Sequence, residues 1–240
     1  MMRGSRLRSY PVAVRVTAKR CGPSHRLPTQ KSESRSARHA SSIPAESGFV
    51  ADHGVTLGEV LFALAWNVRG NPAQSSFVSA AERLLGLPLP LEPNTSTRSA
   101  GKTVLWLGPR SWLLVAGPAL RRNEFDVTRT ALNTAGGALF DVSSSYVGWM
   151  MAGARAARAL NRSCPLDLHP SAFPAGRCAQ SVLGHINALL YKVDERPAFI
   201  VMVARSLAVD AWGDLCASAG TEGYRVVPPS AFDAAARSID

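Results

Sequence analysis

Apolar positions change their spacing along the chain in a way that predicts alternating strands and helices. The continuous run Val60–Val68 (VLFALAWNV) predicts a buried strand, ended by Arg69, Gly70, Asn71 and Pro72. Pro72 suits the first turn of a helix, and Phe77, Ala80, Ala81, Leu84 and Leu85 then recur at helical spacing until Gly86 closes it. LPLPLEPN, from Leu87 to Asn94, predicts an extended link. Thr103–Leu107 and Trp112–Ala116 form a hairpin around Gly108-Pro109-Arg110-Ser111. A helix follows over 121–135, with Phe125, Val127, Thr128 and Leu132 turned inward and Gly136-Gly137 at its end. Ala138–Val142 is the next strand.

The order then partly repeats. Tyr146–Met151 predicts a strand and Gly153–Arg162 an alanine-rich helix. Cys178–His185 and Asn187–Val193 predict a second hairpin, and Phe199–Val203 another strand. A helix over 206–219, closed by Gly220, leads to a last strand at Tyr224–Val227. The expected class is α+β. Two tandem ferredoxin-like βαββαβ units, about 60–142 and 146–227, make a mostly antiparallel sheet with helices on one side. Residues 48–230 form this body and 231–240 a tail.

Between the second unit's first helix and its hairpin lies Cys164–Gln180, CPLDLHPSAFPAGRCAQ. Pro165, Pro170, Pro174 and Gly176 exclude both a helix and a central strand. Most connections in a compact domain run about 4–6 residues, so a stiff, partly apolar loop of this length marks a site or a partner surface. Leu166, Leu168 and Phe173 either pack on the chain's own sheet or anchor a partner.

Charge changes the picture only at one end. The net charge is +10, but residues 1–45 hold ten Lys/Arg and a single acid, Glu33, leaving 17 basic and 16 acidic residues for the rest. The body is nearly neutral, so the charge points to no nucleic-acid partner. Residues 1–47, rich in Arg and Ser, read as a basic disordered extension; an organelle transit peptide or a start codon set too far upstream fits the same composition. No apolar run approaches the ~18–20 residues of a membrane span, so no membrane partner is expected. Cys21, Cys164, Cys178 and Cys216 form no C-x-x-C pair and read as reduced thiols of a cytoplasmic protein.

The search for chemistry returns weak signals. Gly101-Lys102-Thr103 resembles the end of a phosphate loop, but Ser96 stands where the first glycine is needed and a strand follows where a helix is required. No G-x-G-x-x-G or G-x-S-x-G is present, and Ser143-Ser144-Ser145 reads as a turn. Cys164, Asp167, His169 and Cys178 are zinc-compatible types, yet C-x₄-H-x₈-C lacks the close pair of common zinc sites. Asp141 either caps its turn or meets a cationic substrate. The five tryptophans fall on predicted strands and a helix, where core packing explains them. No catalytic, cofactor-binding or metal residue is assigned.

Cys164, Pro165, Leu166, Asp167, Leu168, His169, Pro170, Phe173, Pro174, Gly176, Cys178, Ala179 and Gln180 resemble the gamma subunit of heterotetrameric sarcosine oxidase. Asn67-Val68-Arg69-Gly70 with Pro72, Leu105–Pro109 followed by Trp112-Leu113-Leu114, Phe140–Ser143 and Arg205-Ser206 fall in the same order, so the resemblance spans about residues 55–222. The wider kinship is with the folate-binding domain of the glycine-cleavage T-protein, although Ser144 stands where such proteins often carry histidine. The resemblance implies an oxidoreductase complex that demethylates sarcosine to glycine, reduces O₂ to H₂O₂ and forms 5,10-methylenetetrahydrofolate. It implies alpha, beta and delta partner subunits, with FAD, FMN, NAD, tetrahydrofolate and zinc held in those chains and no cofactor in this one. The loop residues Cys164, Pro165, Asp167, His169, Pro170, Phe173, Pro174, Cys178 and Gln180 then become a possible subunit interface. The alternative is a stand-alone folate-binding or aminomethyltransferase-like protein, with Asp141 at the ligand.

Overall fold

The computed structural model describes residues 54–117 and 124–232. The basic extension 1–47 and the first three residues of the helix expected over 121–135 lie outside the described residues.

Among the described residues eleven strands form two sheets, with a pair of helices on the outer face of each. The five-stranded sheet is ordered β3 (Ser96–Ser99), β4 (Lys102–Gly108), β5 (Ser111–Ala116), β2 (Leu64–Arg69), β6 (Ala138–Asp141). The six-stranded sheet is ordered β11 (Tyr224–Ala231), β1 (Val55–Leu61), β7 (Tyr146–Ala152), β10 (Ala198–Ala204), β9 (Ile186–Lys192), β8 (Cys178–Leu183). All described pairings are antiparallel except β1 with β11.

Period-2 alternation divides each strand's side chains between two cores. Ala65, Leu105, Leu113 and Val115 of one sheet meet Met150, Leu189, Tyr191, Ile200 and Met202 of the other in a central layer. Trp66, Val104, Trp112 and Leu114 face the opposite way, toward Phe77, Ala81 and Leu85 of α1 (Ser75–Leu85) and Leu132 of α2 (Phe125–Thr134). Val147, Trp149, Val201 and Val203 face Ala156, Ala159 and Leu160 of α3 (Ala156–Leu160) and Ala211 and Leu215 of α4 (Ala208–Gly220). The mostly antiparallel α+β class is therefore observed, with each sheet covered by helices on one side and by the other sheet on its second.

Several expectations are corrected. Val60–Val68 is two strands. Leu61 ends β1 in one sheet and Leu64 opens β2 in the other, because the chain crosses between layers at Phe62-Ala63. The Phe62 ring fills the space over Gly148, where a Cβ would come within 2.6 Å of it, and lies 5.5 Å from the Phe232 ring. β3 was not expected; its sequence STRS has no apolar residue, and it is held by backbone pairing to β4. Val127 is 72% exposed, because the inward face of α2 is set by Thr128 and Leu132. α3 is shortened to five residues: Gly153 takes φ +118°, and a Cβ there would come within 2.5 Å of the Gly54 carbonyl oxygen. The tail begins later than 231, since Ala231 ends β11 and Phe232 is buried beside Tyr191; residues 233–240 lie outside the described residues.

The elements trace the same path twice. β2-α1-β3-β4-β5-α2-β6 and β7-α3-β8-β9-β10-α4-β11 give sheets with the same strand order, except that β1 is inserted between β7 and β11.

Candidate functional site: two proline-rich links

The Cys164 loop joins α3 to β8. Its counterpart in the first half is the Leu87–Asn94 segment, which joins α1 to β3. Both are proline-rich, and they meet. Thr95 pairs with Arg177 in an isolated antiparallel bridge, each residue standing just before its half's first hairpin strand. The Cys178 N–H donates to Asn94 O at 3.0 Å, and Ser96 Oγ donates to Gly176 O at 2.7 Å. Gln180 Nε2 donates to Leu107 O at 2.7 Å, and Arg177 lies 3.2 Å from Glu92. The loop's end therefore sews one sheet to the other.

The loop proper stops at Arg177. Cys178, Ala179 and Gln180 belong to β8, because past Gly176 no proline interrupts the ladder and Cys178 pairs with Tyr191. Within the loop, Asp167 Oδ1 accepts the His169 N–H at 2.9 Å, and the Ala172 and Phe173 N–H groups donate to His169 O at 2.9 and 2.8 Å. Asn161 Nδ2 donates to Leu166 O, and the Ser163 and Ser218 hydroxyls, 2.7 Å apart, tie the loop to α4. These local bonds supply partners for a backbone that has no ladder.

The apolar side chains face inward. Cys164, Leu168 and Phe173 are buried with α3 and α4, and the Phe173 ring centroid lies 6.5 Å from that of Phe199 on β10. Of the two alternatives for Phe173, the ring takes the inward one and completes the chain's own core beside Phe199. Pro165, Asp167, His169, Pro170, Pro174 and Gln180 are exposed.

The zinc-compatible residues do not converge. Cys164 lies in the helix-side core, whereas Cys178 lies in the layer between the sheets, on the opposite face of β8's sheet. Cys178 Sγ sits 3.3 Å from Thr95 O and 3.6 Å from Trp106 O. Burial pushes its thiol up to about 11 against the opposing influence of the Trp106 backbone and Arg177, so the protonated form holds at neutral pH. Burial likewise raises the Tyr191 phenol beside it. His169 Nδ1 lies 2.7 Å from Ser171 Oγ on the exposed rim. Among the described residues no three His, Cys, Asp or Glu side chains cluster with metal-binding geometry.

The other sequence candidates have structural roles. Lys102 Nζ donates to Leu85 O at 2.8 Å, satisfying the C-terminal end of α1. Asp141 Oδ1 accepts from the Ser143 N–H at 3.0 Å and from Ser143 Oγ at 2.5 Å, capping the β6–β7 turn. Trp66, Trp112 and Trp149 are buried, and Trp106 and Trp212 pack partly against the cores. One residue escaped sequence reasoning. Lys192 is 1% exposed, and its Nζ has no hydrogen-bond partner. Its position as one Lys closing an apolar strand gives no signal, because such a residue usually reaches solvent. No helix among the described residues is long and apolar enough to cross a membrane.

With this geometry in hand, similarity to known proteins can be placed on it. The sarcosine oxidase, gamma subunit family profile matches residues 69–220. Sarcosine oxidase subunit gamma of Corynebacterium sp. (strain U-96) is 33% identical over 163 residues, covering 67% of this chain and 77% of that one. The subunit gamma of Arthrobacter sp. is 32% identical over 150 residues, covering 61% and 71%. A chain of the heterotetrameric sarcosine oxidase from Corynebacterium sp. U-96, solved with pyrrole 2-carboxylate, superposes with TM-score 0.66 at 29% identity over 72% of this chain and 88% of that one. The glycine cleavage system aminomethyltransferase T from Bartonella henselae shares the fold at TM-score 0.54 and 15% identity, over 77% of this chain and 49% of that one. The chain belongs to the sarcosine oxidase gamma subunit family.

Proposed function

We propose that this chain is the non-catalytic, assembly-supporting gamma subunit of a cytoplasmic heterotetrameric sarcosine oxidase. Its partners are the alpha, beta and delta subunits, which hold FAD, FMN, NAD, tetrahydrofolate and zinc. The complex demethylates sarcosine to glycine with formation of H₂O₂ and 5,10-methylenetetrahydrofolate. The observation that carries the reading is the division of the Cys164–Arg177 loop. Its apolar side chains are used inside the chain, while a proline-stiffened outer rim of Pro165, Asp167, His169, Pro170 and Pro174 faces outward. A rim already rigid loses little conformational entropy on docking. The residues with reactive side chains are kept apart, which supports a binding role over a chemical one.

Co-expression of the full chain with its three partners, followed by affinity capture, tests this. Replacing both Pro170 and Pro174 by Arg puts two charges on the rim without touching the core. The expected result is a tenfold or greater loss of assembled complex, with the melting temperature of the isolated chain lowered by no more than about 2–4 °C, the range for roughly 1 kcal/mol in a domain of this size. Wild-type assembly by the double variant, or normal assembly and turnover of the partners without this chain, would overturn the reading.

A further inference from the structure

Hydrogen-bond register aligns the two halves residue by residue. Ser96 pairs with Leu105 as Cys178 pairs with Tyr191. Leu105 in turn faces Leu113, and Tyr191 faces Ile200. Leu113 faces Asn67 on β2, and Ile200 faces Met150 on β7. Asn67 therefore occupies the place of Met150 and, two residues on, Arg69 the place of Ala152. The same register sets Trp66 level with Trp149, each on the helix side of its sheet. Met150 and Ala152 are buried in the central layer between the sheets. Their counterparts on that face are an amide and a guanidinium, and the layer stops there: Arg69 is exposed, and Phe140, which pairs with Asn67 across β6, is 49% exposed.

Arg69 is held but not paired. Its Nε donates to Asn67 Oδ1 at 2.8 Å, and its Cζ lies 5.6 Å from the Phe140 ring centroid. Asn67 is itself fixed: it is buried, and its Nδ2 donates to Ser111 Oγ at 3.0 Å and to Trp112 O at 3.1 Å. Among the described residues no carboxylate forms an ion pair with Arg69, and its Nη1 and Nη2 make no hydrogen bond. Arg129 marks the contrast. It lies over Phe125 in the same way, 5.4 Å from the centroid, and there Asp126 stands 2.9 Å away. A guanidinium oriented by one nitrogen and one face presents its remaining donors, already aimed, to whatever covers the patch.

We infer that Asn67, Arg69 and Phe140 form a docking surface for a partner subunit, whose Asp or Glu side chain pairs with Arg69 Nη1 and Nη2 while an apolar neighbour covers the Phe140 ring. The inference rests on the assembly role proposed above and adds to it a second contact, on the other sheet from the Cys164 loop. Arginine and aromatic side chains are the residue types that carry binding energy at interfaces, and one held in place beforehand loses little freedom on docking. Charge decides the occupant. Residues 1–45 of this chain carry ten Lys/Arg against one acid, so they are repelled. A second copy docked on the same patch would set Arg69 against its own counterpart across a twofold axis. A carboxylate on a different chain meets neither objection.

Co-expression of the full chain with its three partners, followed by affinity capture, reads the surface. Arg69→Glu is expected to lower the assembled complex by roughly tenfold or more, and Arg69→Gln or Phe140→Ala by about three- to tenfold. The isolated variants are expected to melt within about 2–4 °C of wild type, because both side chains are exposed. Arg69→Lys keeps the charge and supplies an amine. Carbodiimide treatment of the complex it forms is expected to give a zero-length crosslink from position 69 to an Asp or Glu of another subunit. Wild-type assembly by Arg69→Glu, or a crosslink from position 69 confined to this chain or to a second copy of it, overturns this inference and leaves the Pro170 and Pro174 rim standing. Failure of the wild-type chain to join its partners overturns both readings.

Discussion

The two halves of the molecule share a strand order and differ in how they cover it. In the first half an 11-residue helix, α1, lies over the sheet, and the short Leu87–Asn94 link adds Leu87 and Leu89 to the same core. The link's Pro90 carbonyl accepts the Trp112 indole N–H at 2.7 Å, which seats the largest core residue. In the second half the equivalent helix, α3, has five residues. The longer Cys164 loop replaces the missing turns with Leu168 and Phe173. A duplicated scaffold has thus exchanged helix for loop at one of two equivalent positions. The exchange lets the chain present a stiff irregular rim over a sheet that stays fully covered.

If the loop does the work of a helix, truncating its core residue should cost as much as truncating any central side chain. Phe173→Ala is expected to lower stability by about 3–5 kcal/mol, read as a shift in urea midpoint at constant slope. Leu89→Ala, the matching truncation in the first link, is expected to cost less, about 2–3 kcal/mol, because Phe77 and Leu85 of α1 share its core. A loss at Phe173 smaller than that at Leu89 would break the comparison, since the loop would then be ornamental to its sheet.

Cys178 and Ser96 occupy equivalent positions, and pH separates them. The Cys178 thiol is raised from 9.0 to about 11, so the unfolded chain releases its proton before the folded one does. Its contribution is complete below about pH 9 and is lost as pH rises to 11, amounting to about 2–3 kcal/mol. Tyr191, also raised by burial, adds a loss of the same sign at higher pH. Cys178→Ser gives the second half the first half's residue, and its hydroxyl can donate to Thr95 O as the thiol does. The difference in unfolding free energy between wild type and variant should shrink between pH 8 and 11. A difference independent of pH would mean that Cys178 ionises as freely folded as unfolded.

How much of this was legible in the chain depended on whether side chains or backbone carried the information. The hairpins and helices of both halves follow from apolar periodicity, because their burial is imposed by side-chain spacing. β3 was invisible because Ser96-Thr97-Arg98-Ser99 carries no apolar residue; only ladder bonds to β4 make it a strand. The β1–β2 break was hidden because Phe62-Ala63 is as apolar as its flanks, and a run buried in two different layers has no polar punctuation. The Cys164 loop stood out through its prolines, but not the direction its side chains take, which only the packing of Leu168 and Phe173 beyond the end of α3 at Leu160 reveals. Lys192 was unreadable, since a lone Lys closing an apolar strand gives no sign that it stays buried.

The smallest expected effect tests what holds the halves together where the links meet. Arg177 and Glu92 form an ion pair at 3.2 Å, but their side chains are 34% and 74% exposed. Such a pair contributes about 0–1 kcal/mol and is screened by salt. The backbone bond from Cys178 N to Asn94 O and the Ser96 Oγ bond to Gly176 O are better placed to fix the junction, because neither depends on holding two long side chains in one geometry. A double-mutant cycle of Arg177→Ala and Glu92→Ala should give a coupling below about 1 kcal/mol that vanishes in roughly 0.5 M salt. Ser96→Ala alone should cost about 1 kcal/mol with no salt dependence. A large, salt-resistant coupling between Arg177 and Glu92 would move the junction's strength from the backbone to the side chains. The near-symmetry of the two links would then be a by-product of the fold, since only one half carries each charge.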